Sequence, residues 1–191
     1  PEIRRLLVIL ARNPVMKIFE KHDMSESTET IVEAAFELSQ RQYGALIVIV
    51  RETGIRTYIE SGELLGARLS KSLLSSIFFP KSSLHDGAVI VKGNVIEAAR
   101  CTLPLSATTQ VDGENLGMRH RAGLGISEQA DVISVIVSEE TGGISMAENG
   151  KLTTGLSKDS LRKKLKEAII TPTPKGWKAL FEQFKGHKQE Y

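Results

Sequence analysis

Gly44-Ala45-Leu46-Ile47-Val48-Ile49-Val50 is the stretch on which the fold turns. From Ala45 to Val50 every residue is apolar, and Ile47 to Val50 are all β-branched. A strand with one wet face alternates apolar and polar residues. An unbroken apolar run this short reads as a strand covered on both faces. Such a strand needs a layer of structure on either side of its sheet, so the run predicts an α/β domain with one mixed sheet between helices.

Upstream, Ile31, Ala34, Ala35 and Leu38 recur at helical spacing. Thr30 followed by Glu33 is a capping-box pattern for the start of that helix, and Gly44 is its stop signal. Ser25 to Thr30 is polar and reads as a loop, and Pro1 to Asn13 as a separate short helix. Downstream, Thr53-Gly54 marks a turn, and Ser70 to Phe79 reads as a helix stopped by Pro80. Ala88–Val91 and Val95–Ala99 around Lys92-Gly93-Asn94 predict a hairpin. Val132–Val137 is a second doubly buried strand, and Ile144–Ala147 and Leu152–Thr154 around Asn149-Gly150 form a second hairpin. Ser157 or Asp159 caps a helix over Leu161–Ile170, after which Thr171-Pro172-Thr173-Pro174 breaks the pattern. Trp177, Leu180, Phe181 and Phe184 then form an apolar stripe at helical spacing, which packs on the domain or meets a partner. The predicted organisation is a linker and helix over residues 1–24, one globular domain over 25–170, and a tail with an amphipathic helix over 171–191.

Composition removes several function classes. The 191 residues suit one domain, and 25 basic against 23 acidic residues leave a net charge of only +2. That surplus gives no electrostatic footprint for nucleic acid. Tyr43, Tyr58, Phe78 and Phe79 are not interleaved with a basic stripe, so a single-strand stacking platform is not expected either. Cys101 is the only cysteine, which rules out an internal disulfide and suits a reducing compartment. His22, His85, His120 and His187 stand in no zinc-binding pattern. No apolar stretch approaches the roughly 20 residues of a membrane span. The chain opens on Pro1 rather than Met, which suggests a fragment or a processed product, so any membrane anchor is expected upstream of Pro1.

The chemistry-bearing residues lie at the edges of the apolar runs. His85-Asp86-Gly87-Ala88 places a carboxylate and a glycine just before a strand, where a ligand can approach the backbone closely. It also reads as an ordinary turn. Arg119-His120-Arg121, between Gly117 and Gly123, offers two guanidinium forks and a helix start, both suited to phosphate oxygens. Taken alone it also reads as a solvated basic turn. Ser138-Glu139-Glu140-Thr141-Gly142-Gly143 puts adjacent carboxylates at a strand end, where they can hold a hard cation or form an acidic surface turn. Leu103-Pro104-Leu105-Ser106 is a loop that could wall a base pocket. As a set, carboxylates, arginines and glycine-rich turns are the parts of a nucleotidyl-transfer site. Lys151 follows Gly150 without the phosphate-loop pattern, and Gly123-Leu124-Gly125 meets Glu128 where a dinucleotide fingerprint needs glycine.

In this order the residues resemble the diadenylate cyclase (DAC domain) family, membrane-anchored subtype. Its hallmarks stand intact as Asp86-Gly87-Ala88 and Arg119-His120-Arg121. Leu84-His85, Leu103-Pro104-Leu105-Ser106, Leu116-Gly117, Gly125-Ile126-Ser127-Glu128 and Ser138-Glu139-Glu140-Thr141-Gly142 match its flanks. The resemblance covers roughly residues 25–170, and Met118 departs from it where the family usually has Thr. It implies a mostly antiparallel central sheet flanked by helices, and condensation of two ATP molecules into cyclic di-AMP by two domains meeting head to head. It implies a divalent metal (magnesium or manganese, with cobalt a third candidate) held by Asp86 and Glu140, with Asp86, Arg119 and Glu140 as the catalytic set. Gly87, Ala88, Thr102, Leu103, Met118, Arg119, His120, Arg121, Ser138 and Glu139 are implied as ATP-binding. The partners it implies are ATP, a second copy of the chain, and a membrane or regulatory protein met through an upstream region, with the catalytic domain in the cytoplasm. The alternative is a nucleotide-binding sensor with weak turnover.

Overall fold

The computed structural model describes residues 14–170 apart from 52, 53 and 112. The first predicted helix, Thr53 of the Thr53-Gly54 turn and the stripe from Trp177 to Phe184 lie outside the described residues.

One sheet of seven strands organises the domain: β1 (Ala45–Val50), β2 (Glu63–Arg68), β3 (Ala88–Lys92), β4 (Val95–Cys101), β7 (Val132–Val137), β8 (Ile144–Glu148) and β9 (Lys151–Thr153), in the order β2-β4-β3-β1-β7-β8-β9. β1 runs parallel to β3, and every other neighbouring pair is antiparallel. The predicted mixed, mostly antiparallel α/β sheet is the one observed. The apolar run over β1 has a direct explanation in the pleat. Ala45, Ile47 and Ile49 enter one core, while Leu46, Val48 and Val50 enter another on the opposite face. Helices α1 (Pro14–Gln40), α3 (Lys71–Ile77) and α5 (Lys158–Ile170) cover the first face with Ile31, Leu38, Leu74, Leu161 and Leu165. Helix α4 (Met118–Gln129) covers the second with Leu124 and Ile126, beside Ile55 ahead of the short helix α2 (Arg56–Glu60). A small hairpin of β5 (Gln110–Val111) and β6 (Glu114–Asn115) stands apart from the sheet.

Both predicted hairpins form. Asn149 and Gly150 take positive φ of 52° and 71°, the two-residue primed turn that their sequence calls for. Ser157 is the cap of α5, its Oγ accepting from the Ser160 N–H at 3.2 Å.

The loop expected over Ser25 to Thr30 is instead part of α1, one continuous helix from Pro14 to Gln40. A Ser or Thr inside a helix costs only about 0.5 kcal/mol. Burial of side chains such as Ile31, Val32 and Leu38 contributes roughly 2 kcal/mol each and outweighs it. The polar residues also have partners: Glu29 pairs with Arg162 and Glu33 with Lys158 across the α1–α5 seam. The capping-box pattern at Thr30 and Glu33 therefore marks no helix start. At the other end α1 stops at Gln40, before the expected Gly44. Gln42 takes the left-handed position (φ 54°), and the Tyr43 N–H closes back onto Leu38 O at 2.9 Å.

Candidate active site

The strand register gathers the expected residues along one edge of the sheet. Ala45 lies opposite Val137, Val137 opposite Ile144, Ile47 beside Val89, and Ala88 opposite Cys101. The start of β3, the end of β4, the start of β1, the end of β7 and the start of β8 thus share an edge. Asp86-Gly87, Thr102-Leu103 and the turn Ser138–Gly143 all leave the sheet there. At about 4.8 Å per strand, β3 and β7 stand roughly 10 Å apart with β1 between them.

Helix α4 begins over that edge. Gly117 caps it without a side-chain bond, leaving the first-turn N–H groups open to an anion. The Arg119 guanidinium lies across Gly44, where an added Cβ would fall 2.7 Å from Nη1. Arg119 Nη1 donates to Glu139 Oε2 at 2.6 Å, and the buried Nε finds no partner among the described residues. A buried donor left open beside a helix N-terminus suits an anionic ligand.

A pocket of about 380 Å³ opens between the first turn of α4 and the acidic turn, walled by His120, Ser138, Glu140, Thr141 and Ser145. Val111, Glu114 and Asn115 of the small hairpin and Thr154 and Gly155 after β9 complete it. His120 Nε2 is 3.2 Å from Ser145 Oγ. Burial holds the His120 pKa below its ordinary value, and the Glu140 carboxylate opposes that shift in part. Ser138 Oγ accepts from the N–H groups of Glu140 and Thr141, both at 3.3 Å, which sets the shape of the acidic turn.

Of the expected residues, His120, Ser138 and Glu140 meet in this pocket. Asp86 is exposed on the sheet edge outside it. Gly87 packs against the backbone of Arg100, a residue in the left-handed region (φ 57°) at a bulge in β4. Ala88 and Leu103 are buried, while Thr102 is exposed with its N–H donated to Ser61 Oγ at 3.0 Å. Met118 is exposed at the start of α4, and Glu139 faces Arg119. Arg121 lies outside the pocket, its fork on the carbonyl of Ser106 at 3.2 and 3.1 Å. Cys101, at the end of β4, is buried, and burial alone pushes its thiol pKa up to about 11. The hairpin wall escaped the sequence reading, although Asp112-Gly113 is a hairpin signal. Ser145, Thr154 and Gly155 carry no local signal.

The donor set bears on a metal. Among the described residues no cluster of three or more His, Cys, Asp or Glu could form a closed site. Asp86 and Glu140 are exposed carboxylates about two strand spacings apart. Hard oxygens offered singly suit a divalent cation that shares its shell with substrate phosphates and fit no all-protein cage.

Comparison with known proteins adds a family. The family profile described as DisA bacterial checkpoint controller nucleotide-binding (DAC) matches residues 32–152. A diadenylate cyclase of Listeria monocytogenes is 43% identical over 196 aligned residues, which cover 100% of this chain and 70% of the relative. The cyclic di-AMP synthase CdaA of Bacillus subtilis is 45% identical over 86% of this chain and 61% of its own length. The crystal structure of a DacA double mutant from Staphylococcus aureus superposes with a TM-score of 0.73 at 41% identity, covering 78% of this chain and 99% of that one. That of a hypothetical membrane spanning protein from Bacillus cereus gives 0.65 at 48% identity, covering 69% and 64%.

Proposed function

This chain belongs to the diadenylate cyclase (DAC) family, and on that premise we propose how its own residues divide the work of condensing two ATP molecules into cyclic di-AMP. The enzyme is an ATP-dependent nucleotidyltransferase. Each 3′-hydroxyl attacks the α-phosphate of the other ATP. Two P–O–C links form, two pyrophosphates leave, and each hydroxyl proton passes to a base. In our reading the base side is Asp86, exposed ahead of β3. The phosphates lie against the open N–H groups of α4, Arg119, His120 and Ser138, and Glu139 holds Arg119 in place. Gly87 and Ala88 back the ribose, and Thr102 and Leu103 line the adenine. A divalent cation (magnesium, manganese or cobalt) would be held by Asp86 and Glu140 and supplies neutralisation of phosphate charge.

One observation carries the reading: the sheet register puts the start of β3 and the end of β7 on a common edge, and Arg119 against Gly44 and His120 in the pocket bring the first turn of α4 to it. The same edge supports a pairing of two copies face to face. One chain presents Asp86 and Glu140 on either side of β1, each exposed. A second copy bringing its own ATP would supply the proximity that a bimolecular reaction otherwise lacks. Anchoring of the full-length protein by an upstream segment belongs to the same proposal. No helix among the described residues is long and apolar enough to cross a membrane.

The test is product formation from ATP with magnesium, manganese or cobalt, measured against protein concentration. Cyclic di-AMP should appear at a rate rising with the square of concentration at the dilute end. Asp86→Asn should lower that rate about a hundredfold or more while ATP still raises the melting temperature. A linear dependence ends the pairing proposal, and an unchanged Asp86→Asn rate ends the role of Asp86. Stabilisation by ATP without product under every metal would make the chain a nucleotide sensor.

A further inference from the structure

Arg121 belongs to the same triplet as Arg119 and His120, yet its guanidinium turns away from the phosphate pocket. Nε and Nη2 both donate to Ser106 O, and the Ser106 N–H returns a bond to Arg121 O at 2.9 Å. Ser106 Oγ donates to Glu128 Oε1 at 2.6 Å, two turns further along α4, and accepts from the Thr108 N–H at 3.1 Å. Ser106 is 1% exposed, and its carbonyl, amide and hydroxyl are all bonded to α4. Between Arg121 and Glu128 on that side of the helix lies Gly125. A Cβ there would fall 2.3 Å from Pro104 O and 2.6 Å from Ser106 N, so the loop rests on bare helix backbone.

We propose that Arg121, Ser106 and Glu128 form a staple that fixes the loop from Thr102 to Ser106 to α4, making Arg121 a positioning residue for the base rather than a phosphate ligand. The proposal rests on the reading above of Thr102 and Leu103 as the adenine wall. Its physical content is a spacing. The first turn of α4 faces the phosphates and its body holds the base loop, so one rigid element sets the distance between the two ends of the nucleotide. Arg suits the task because the Nε and Nη2 edge of its planar fork can converge two hydrogen bonds on one carbonyl oxygen. A lysine ammonium gives only a point donor on a flexible stem.

The experiment compares the native chain with Arg121→Lys, Ser106→Ala, Glu128→Ala and Glu128→Gln, with Arg119→Lys as the phosphate-side control. KM and kcat for ATP, turnover of GTP, and inhibition by inorganic pyrophosphate are measured on each. Loss of one or two buried hydrogen bonds should raise KM for ATP about tenfold in Arg121→Lys and Ser106→Ala, with kcat within about threefold of native. Preference for ATP over GTP should fall with it. The pyrophosphate inhibition constant should stay within about twofold of native in these variants and rise in Arg119→Lys. Glu128→Gln keeps the acceptor and should restore what Glu128→Ala loses, and because Glu128 is exposed both variants should keep a native melting temperature to within a few degrees. A pyrophosphate constant that rises with KM in Arg121→Lys would make Arg121 a phosphate ligand and overturn the staple. Unchanged nucleotide preference in Ser106→Ala and Glu128→Ala would overturn it too. Failure of the broader reading looks different: the native chain would then make no cyclic di-AMP.

Discussion

His120 shows how one side chain ties the pocket to pH. It stands among Ser145, Glu140 and Glu114, and burial disfavours its imidazolium more than the Glu140 carboxylate favours it. The unfolded chain takes up a proton near the ordinary value of 6.5, while the folded chain takes it up only at lower pH. Between those two values the unfolded state binds more protons, so stability is complete above 6.5 and falls as pH drops through the window. The melting temperature of the metal-free, nucleotide-free protein should therefore decline on acidification across that window, and His120→Asn should flatten the decline. A decline equally steep in the variant would assign it to other groups. Arg119 differs in kind. Its buried Nε finds no acceptor among the described residues, so what it lacks is a ligand oxygen.

The acidic turn from Ser138 to Gly143 depends on a neighbouring element as well as on its own bonds. Ser39, in the last turn of α1, donates from Oγ to Gly142 O at 2.6 Å, 103 residues away in sequence. A hydrogen bond of this kind contributes about 1 kcal/mol, so Ser39→Ala should lower kcat/KM about fivefold through a looser turn, with a small change in melting temperature. An unchanged kcat/KM would show that the turn holds its shape without α1. Sequence made elements legible in proportion to how much local pattern they carry. β1 and β7 announce themselves because both of their faces are buried. Helix α4 shows only its start. Gly123 and Gly125, poor helix formers, interrupt its periodicity, and packing against the sheet and the Ser106 loop supplies what propensity lacks. β2 stayed hidden because it is an edge strand with Gly66 at a bulge and an exposed Leu64. The motif residues stood out, but only the packing of α4 on the sheet could tell that His120, Ser138 and Glu140 share a pocket, and only strand register that Asp86 sits two strands away.

Across the whole molecule the two ends of the sheet do different jobs. Opposite the pocket, the side chain of Arg51 is 5% exposed and donates to Asp131 at 2.8 Å and to the carbonyl of Ala168 at 2.8 Å, with Glu148 as a further partner. It ties the end of β1 to the start of β7, the end of β8 and the last turn of α5. Removing one member of such a cluster strands the others, so Arg51→Leu should cost roughly 3 kcal/mol of stability. Its rate per folded molecule in the cold should match the native one, and a lost rate without lost stability would join the two ends functionally. Cys101 has a practical consequence. The chain's single thiol is buried and stays protonated at neutral pH, so maleimide dyes will pass it by. A cysteine introduced at the exposed Lys81 would be the sole labelled position without first deleting the native one. Energy transfer between donor- and acceptor-labelled molecules would then follow their encounter in real time, with and without nucleotide.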